Sequence, residues 1–339
     1  MALHLEAEPL DLHTRHPFLI ARGGQAQHRT IWVRLRDDDG AEGWGEAAAT
    51  TYYGETPETV LAALAAYVPH IPADPFDLES AERSLQAALA DNPSARAALS
   101  SALHDLVGKR LGVPLWKLWG LNPAQAPVST FTIGLDSPDK MRAKVLEAEP
   151  YPVLKVKLGT QRDGEILRAI RSATEKELRV DANAAWTRKH AIAMLPVLRE
   201  FGVTVLEQPL PPHDLEGLAA VTHASTIPVI ADESCLVASD IPRLCGVVDG
   251  INIKLAKCGS LREALRMITV ARAHGLIVMV GCMIESSVGI TAAAHFTPLV
   301  DLVDLDGAAL LSDDPFQGAT IDRGRIALPM EAGLGVRRR

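Results

Sequence analysis

The chain has 339 residues, 47% of them hydrophobic and 22% charged, enough apolar material for a sizeable core in about two domains and too much for a disordered polypeptide. Its 34 Lys and Arg against 42 Asp and Glu give a net charge of -8, the wrong sign for a nucleic-acid binder. Aromatic residues make up only 4%, too few for stacking platforms. The four cysteines (Cys235, Cys245, Cys258, Cys282) show neither CxxC spacing nor a paired framework, as expected of reduced thiols in a cytoplasmic protein.

The N-terminus, MALHLEAEPL, is acidic and lacks the basic-then-apolar pattern of a secretory leader. Residues 28–36 alternate apolar and polar positions like a half-buried strand, Asp39-Gly40 marks a hairpin turn, and residues 41–47 return as the partner strand. Gly43-Trp44-Gly45 lacks the setting of a phosphate loop and is expected to pack tightly within that hairpin. Thr56-Pro57-Glu58 opens a helix, with Thr56 as N-cap and Pro57 in the first helical position. Helical patterns follow at about 78–90 and 94–111, the second stopped by Gly112 and Pro114. His104 on that helix reads as a packed histidine, and His295 receives no role.

From residue 128 the texture changes. Short apolar runs recur at 129–134, 153–159, 178–183, 203–208, 227–234, 250–257, 275–281 and 301–307, with charge-rich helical stretches between them. Eight such strand–helix units predict a (β/α)8-type barrel. A doubly wound open sheet would place a Gly-rich loop after its first strand; STFTIG is followed instead by LDSPDK. The longest apolar stretch, 276–284, is too short to span a bilayer, so no membrane partner is expected.

In such a barrel the site lies at the C-terminal ends of the strands. Charged residues gather there. The second strand carries Lys155 and Lys157, the third ends with Asp181, the fourth with Glu207, the fifth with Asp232, the sixth with Lys254, and the eighth with Asp304 and Asp306. Three carboxylates on adjacent strands (Asp181, Glu207, Asp232) would repel one another without a cation. All-oxygen donors select a hard ion, Mg²⁺ first and Mn²⁺ second. Alternation puts Lys155 and Lys157 on one face, and strands two and six of an eight-strand ring are diametrically opposed, so a substrate would meet a lysine on each side. A neighbouring ammonium and a divalent ion both favour the neutral, basic form of a lysine. Lys257 reads as a solvated surface charge. The layout suits proton abstraction α to a carboxylate, with return on either face: a 1,1-proton transfer.

These residues resemble the enolase superfamily, in particular its muconate-lactonizing-enzyme subgroup. ALSSALHDLVGKRLGVPLWKLWG (98–120) looks like the segment preceding that group's barrel, and LKVKLG, VDAN, LEQP, ADES and NIKLAKCGS look like its lysine and metal motifs in order. The resemblance implies an α/β fold: an N-terminal α+β capping domain (residues 1–125), a modified TIM barrel of (β/α)7β form (126–320) and a C-terminal segment (321–339) returning to the cap. It implies Mg²⁺ on Asp181, Glu207 and Asp232, with Lys157 and Lys254 as the acid/base pair.

Within the subgroup, the Asp-x-Asp of VDLDG (303–307) resembles that of the dipeptide epimerases, where the two acids hold a free α-ammonium; Asp304 and Asp306 share one face, as such a seat requires. The resemblance also implies that Thr130 and Lys155 contact substrate, Lys155 through the substrate carboxylate, that Met283, Ile284 and Glu285 shape the pocket, and that two loops at about 16–28 and 49–56 set specificity. Members acting on Ala-Glu carry an arginine after the stretch that reads here Ala21-Arg22-Gly23-Gly24; this chain has Gln25, which points to a neutral second residue, although Arg22 and Arg29 lie near. The expectation is a cytoplasmic epimerase of L,L-dipeptides, able to form a homo-oligomer. An o-succinylbenzoate synthase, an N-acylamino-acid racemase or a cycloisomerase would not need the two acids, and a non-catalytic metal-binding barrel would not need the two lysines.

Overall fold

The structure, a computed structural model, describes residues 2–339. Strands β1 (Leu3–Ile20), β2 (Gly23–Asp37) and β3 (Glu42–Ala47) form an antiparallel sheet in that order. β1 was not among the expected elements, and the segment 16–28 is not an irregular loop. It is the far end of a hairpin whose register shifts between His13 and Phe18 and resumes with Phe18 opposite Gln25. The second turn is held by Asp37, whose carboxylate accepts from the backbone N–H groups of Asp39 and Ala41.

Helices α1 (Pro57–Tyr67), α2 (Leu78–Ala88) and α3 (Pro93–Leu111) cover one face of the sheet, and the one-turn α4 (Leu115–Leu118) leads away. Thr56 caps α1 through a reciprocal pair of bonds with Thr59, and α3 stops at Gly112, which takes a left-handed φ of 71°. Every residue from Ser94 to Gly108 is buried, so α3 has no solvent face over four turns. Gly43 and Gly45 explain how β3 approaches it. A Cβ at either position would stand 1.9 Å from the Ala102 carbonyl oxygen or 2.0 Å from that of Ala98. The Gly-Trp-Gly motif thus serves close packing of strand on helix, not packing within the hairpin as the sequence suggested.

The barrel follows: β4 (Phe131–Ile133), α5 (Pro138–Glu147), β5 (Val153–Lys157), α6 (Asp163–Arg171), β6 (Glu177–Asp181), α7 (Arg188–Glu200), β7 (Val203–Glu207), α8 (Leu215–Ala224), β8 (Val229–Ala231), α9 (Ile241–Leu244), β9 (Gly250–Ile253), α10 (Leu255–Cys258), α11 (Leu261–Ala273), β10 (Ile277–Gly281), α12 (Ser287–Ala294) and β11 (Leu302–Asp304). The eight strands lie in sequential order, all parallel, with no reversal of the kind a doubly wound sheet requires. A bridge from Ser129 to Val303, with the Thr130 N–H 3.1 Å from the Val303 carbonyl, brings first and last strands together. Only a 3₁₀ turn follows β11, so the barrel has the expected (β/α)7β form.

The chain then makes short pairings, β12 (Phe316–Gln317) with β15 (Arg337–Arg338) and β13 (Thr320–Asp322) with β14 (Arg325–Ala327). Near its end the Leu334 N–H donates to Asp105 of α3 at 2.7 Å. A second tie is Glu46 of β3, whose carboxylate accepts from the Ser286 N–H and hydroxyl and the Gly289 N–H at the start of α12. No helix among the described residues is long and apolar enough to cross a membrane.

Candidate active site

Asp181 and Glu207 close β6 and β7, and Asp232 follows β8 directly. Register brings Asp181 opposite Glu207. One carboxylate oxygen from each of the three acids lies within 4.8 Å of the others, and all three side chains are buried. Like charges so close and so dry require cations, and a set of three hard oxygens fits a small divalent ion such as Mg²⁺.

Lysines converge on the same oxygens. Lys157 Nζ stands 2.7 Å from Asp181 Oδ2, and Lys254 Nζ 2.7 Å from Asp232 Oδ2. Lys155 lies 2.7 Å from both Glu207 and Asp304, bridging the acid triad to the eighth strand. Burial alone would lower the pKa of Lys155, but Asp304, Glu207 and Asp181 hold it well above its ordinary value. Burial likewise opposes the charge on Lys254, and Asp232 and Glu207 hold its pKa up. Carboxylate charge thus offsets burial at both lysines. Among the acids, burial pushes Glu207 up to about 7, with Asp181 adding to the shift. Burial would also raise Asp181, yet Lys157 and Lys155 keep it below its ordinary value.

The strand-end acids are held by residues that the sequence reading did not single out. Asn183, in the left-handed region at φ 46°, donates its backbone N–H to Asp181 at 2.8 Å. Asn252 donates its side-chain amide to Glu207 at 2.8 Å. It lies two residues before Lys254 on β9 and so faces the same side, a signal the alternation carried. Gln208 accepts from the Asp232 and Ser234 N–H groups. Lys257 is a correction. It is 3% exposed, not a solvated surface charge, and its ammonium lies 2.5 Å from Asp232 Oδ1.

A cavity of about 810 Å³ opens above these groups, between the barrel and the N-terminal unit. Lys157 and Lys254 are both in its wall, on strands at opposite sides of the ring. Asp304, Asp306 and Met283 line it from the barrel, and Gln25 from the hairpin end. Thr130 and Lys155 lie behind this wall. Thr130 donates to Asp304 Oδ1 at 2.5 Å and is fully buried. Asp304 is thus engaged by Thr130 and Lys155, whereas Asp306 accepts from the Thr132 N–H through one oxygen. Burial and the neighbouring Asp304 charge push Asp306 up to about 7. Glu285 does not line the cavity; it accepts from the Met283 N–H.

Arg22 crosses from the hairpin end to the barrel. Its guanidinium lies 2.8 Å from Glu233, donates to the Asn183 carbonyl, and sits 4.0 Å from the ring centroid of Tyr52 in the turn at 51–53. Arg29 makes a bidentate pair with Asp11. Both arginines near the cavity therefore already have carboxylate partners.

Residues 140–339 match the enolase C-terminal domain-like family, and residues 7–120 match the N-terminal domain of the mandelate racemase / muconate lactonizing enzymes. Among curated proteins, the L-Ala-D/L-Glu epimerase of Bacteroides thetaiotaomicron is 44% identical over 97% of this chain and 86% of its own length. The L-Ala-D/L-amino acid epimerase of a Maribacter species is 42% identical over 98% of this chain and 99% of its own. The solved structure of the dipeptide epimerase from Enterococcus faecalis V583, complexed with Mg and the dipeptide L-Leu-L-Tyr, superposes with a TM-score of 0.95 at 32% identity and covers 100% of both chains.

Proposed function

The chain belongs to the muconate-lactonizing subgroup of the enolase superfamily, and from that premise we propose how its residues carry out a Mg²⁺-dependent dipeptide epimerisation. The observation that carries the reading is the pair Lys157 and Lys254, on opposite walls of one cavity, with three buried carboxylates between them and two more on β11. Asp181, Glu207 and Asp232 would hold Mg²⁺, which when bound supplies positive charge against the substrate carboxylate and makes the adjacent C–H more acidic.

Asp306, with Asp304 behind it, seats the free α-ammonium of the first residue. The second residue then lies with its α-carbon between the two lysines. One lysine, neutral, takes the α-proton as the C–H electron pair moves into the carboxylate. The other delivers a proton to the opposite face, and the configuration inverts. Lys155, bonded to Asp304 and Glu207, keeps the ammonium seat and the metal carboxylates in fixed relation. Thr130 orients Asp304.

The substrate is of the L-Ala-L-Xaa type, with a neutral second residue preferred over Glu. That preference rests on Gln25 and on the engagement of Arg22 with Glu233 and Arg29 with Asp11, which leaves neither arginine free for a side-chain carboxylate. A boundary near residue 125 is supported by the gap between the two family matches, and four free thiols suit a reducing cytoplasm. The test is deuterium incorporation. In D₂O with Mg²⁺, L-Ala-L-Leu and L-Ala-L-Gln should gain one mass unit and epimerise, faster than L-Ala-L-Glu. No exchange with any dipeptide would overturn the reaction, and a preference for L-Ala-L-Glu would overturn the specificity.

A further inference from the structure

The buried ammonium of Lys257 has no part in the proton transfer described above. It is held on four oxygens: Asp232 Oδ1 at 2.5 Å, the Asp232 carbonyl at 2.6 Å, the Asn252 carbonyl at 2.9 Å and the Cys235 carbonyl at 3.0 Å. These belong to the end of β8, the loop after it, and β9. Lys257 itself sits in the single turn α10, its N–H bonded to the Lys254 carbonyl. A lysine buried at this depth costs several kcal/mol unless its charge is matched. Three backbone carbonyls bring only partial charge, so the match is the Asp232 carboxylate.

The two oxygens of that carboxylate have different neighbours. Oδ1 meets Lys257, which faces the barrel wall and has no exposed side-chain surface. Oδ2 meets Lys254, which lines the cavity. We propose that Lys257 is a positioning residue for the metal site: it pins Oδ1 of Asp232, fixes the rotation of the carboxylate, and leaves Oδ2 alone to face the ion. Asn183 on Asp181 and Asn252 on Glu207 do the same by neutral hydrogen bonds, each of those acids meeting lysine at its other oxygen; Asp232 is the one with a lysine on each of its two oxygens. The inference rests on the reading of Asp232 as a metal ligand.

The experiment is a titration of the purified full chain with Mn²⁺, following the electron paramagnetic resonance signal of the free ion, together with thermal unfolding. Asp232→Asn should abolish tight binding; if it binds as the unaltered chain does, the ligand reading fails. Lys257→Met should fold yet bind at least tenfold more weakly, and Lys257→Arg, with its charge kept and its shape wrong, should fall between. A core ion pair with no bearing on the metal would lower the melting temperature and leave the affinity unchanged, so an affinity within twofold of the unaltered chain overturns the proposal. Should Lys257→Met be too unstable to titrate, Lys257→Arg, which keeps the charge beside Asp232, decides by the same measure: weaker Mn²⁺ binding is expected, and an affinity within twofold of the unaltered chain overturns the proposal.

Discussion

Asp304 and Asp306 are two residues apart on one strand and look interchangeable in the sequence. Their surroundings divide the work. Asp304 is bonded to Lys155 and Thr130, and its carboxyl is held below its ordinary pKa against the effect of burial by the Lys155 charge. Asp306 meets a backbone N–H, lies in the cavity wall and has no lysine bonded to it. Asp306→Asn is therefore expected to lower kcat/KM for a free-amine dipeptide by roughly 30-fold or more, from the loss of a buried charge partner, with little change in melting temperature. Asp304→Asn should lower both, since it leaves Lys155 short of a counter-charge. Steady-state kinetics beside thermal unfolding check the contrast. At this scale the acids were legible because strand ends are where a barrel places its chemistry. Lys257 was not, because a lysine just past a strand usually escapes to water, and only the one-turn helix α10 folds it back under Asp232.

Among the elements, α3 decides how the N-terminal unit meets the barrel. Its small residues Ala98 and Ala102 face the glycines of β3. Gly45→Ala would force a Cβ onto a backbone carbonyl at 2.0 Å, where no side-chain rotation can relieve it. Overpacking of this kind costs about 1–3 kcal/mol or more, equivalent to a fall in melting temperature of several degrees for a chain of this size. Gly40→Ala, where a Cβ meets nothing within 4 Å, should cost less and come only from its left-handed φ of 83°; differential scanning calorimetry of the two variants separates the causes. The barrel strands were legible as eight evenly spaced apolar runs. β1 was not marked, although Leu3, Leu5 and Ala7 alternate with exposed His4, Glu6 and Glu8, because the run is rich in charge and its far half is largely exposed.

For the whole molecule, acid stability depends on two buried histidines. His295, at the end of α12, accepts at Nδ1 from the Trp116 N–H and donates at Nε2 to the Leu334 carbonyl, tying the barrel to the α4 segment and to the C-terminal segment. This geometry demands the neutral ring. His104 is bonded to the Ser100 carbonyl, and Trp119 packs edge-on between the two rings. Burial pushes both pKa values down to about 4 from 6.5. The unfolded chain thus takes up these protons first: their contribution to stability is complete above pH 6.5 and is lost as pH falls from 6.5 to about 4. Each ring steepens the loss by about 1.4 kcal/mol per pH unit in that window. His295→Gln, which can accept and donate without titrating, should flatten the slope by one proton. Urea unfolding at pH 7.5, 5.5 and 4.5 measures it, and parallel curves would refute the assignment.

The buried length of α3 also bears on how such a protein can be re-engineered. A helix with no solvent face, pressed by β3 on one side and contacting α10 of the barrel on another, makes the two units inseparable as modules. Exchanging the entire N-terminal unit for a relative's would replace one half of a fitted joint. The hairpin end at Ala21–Gln25 lies far along the chain from that joint and borders the cavity directly. New substrate preferences are thus more readily grafted as a few residues at that tip than as a transplanted domain.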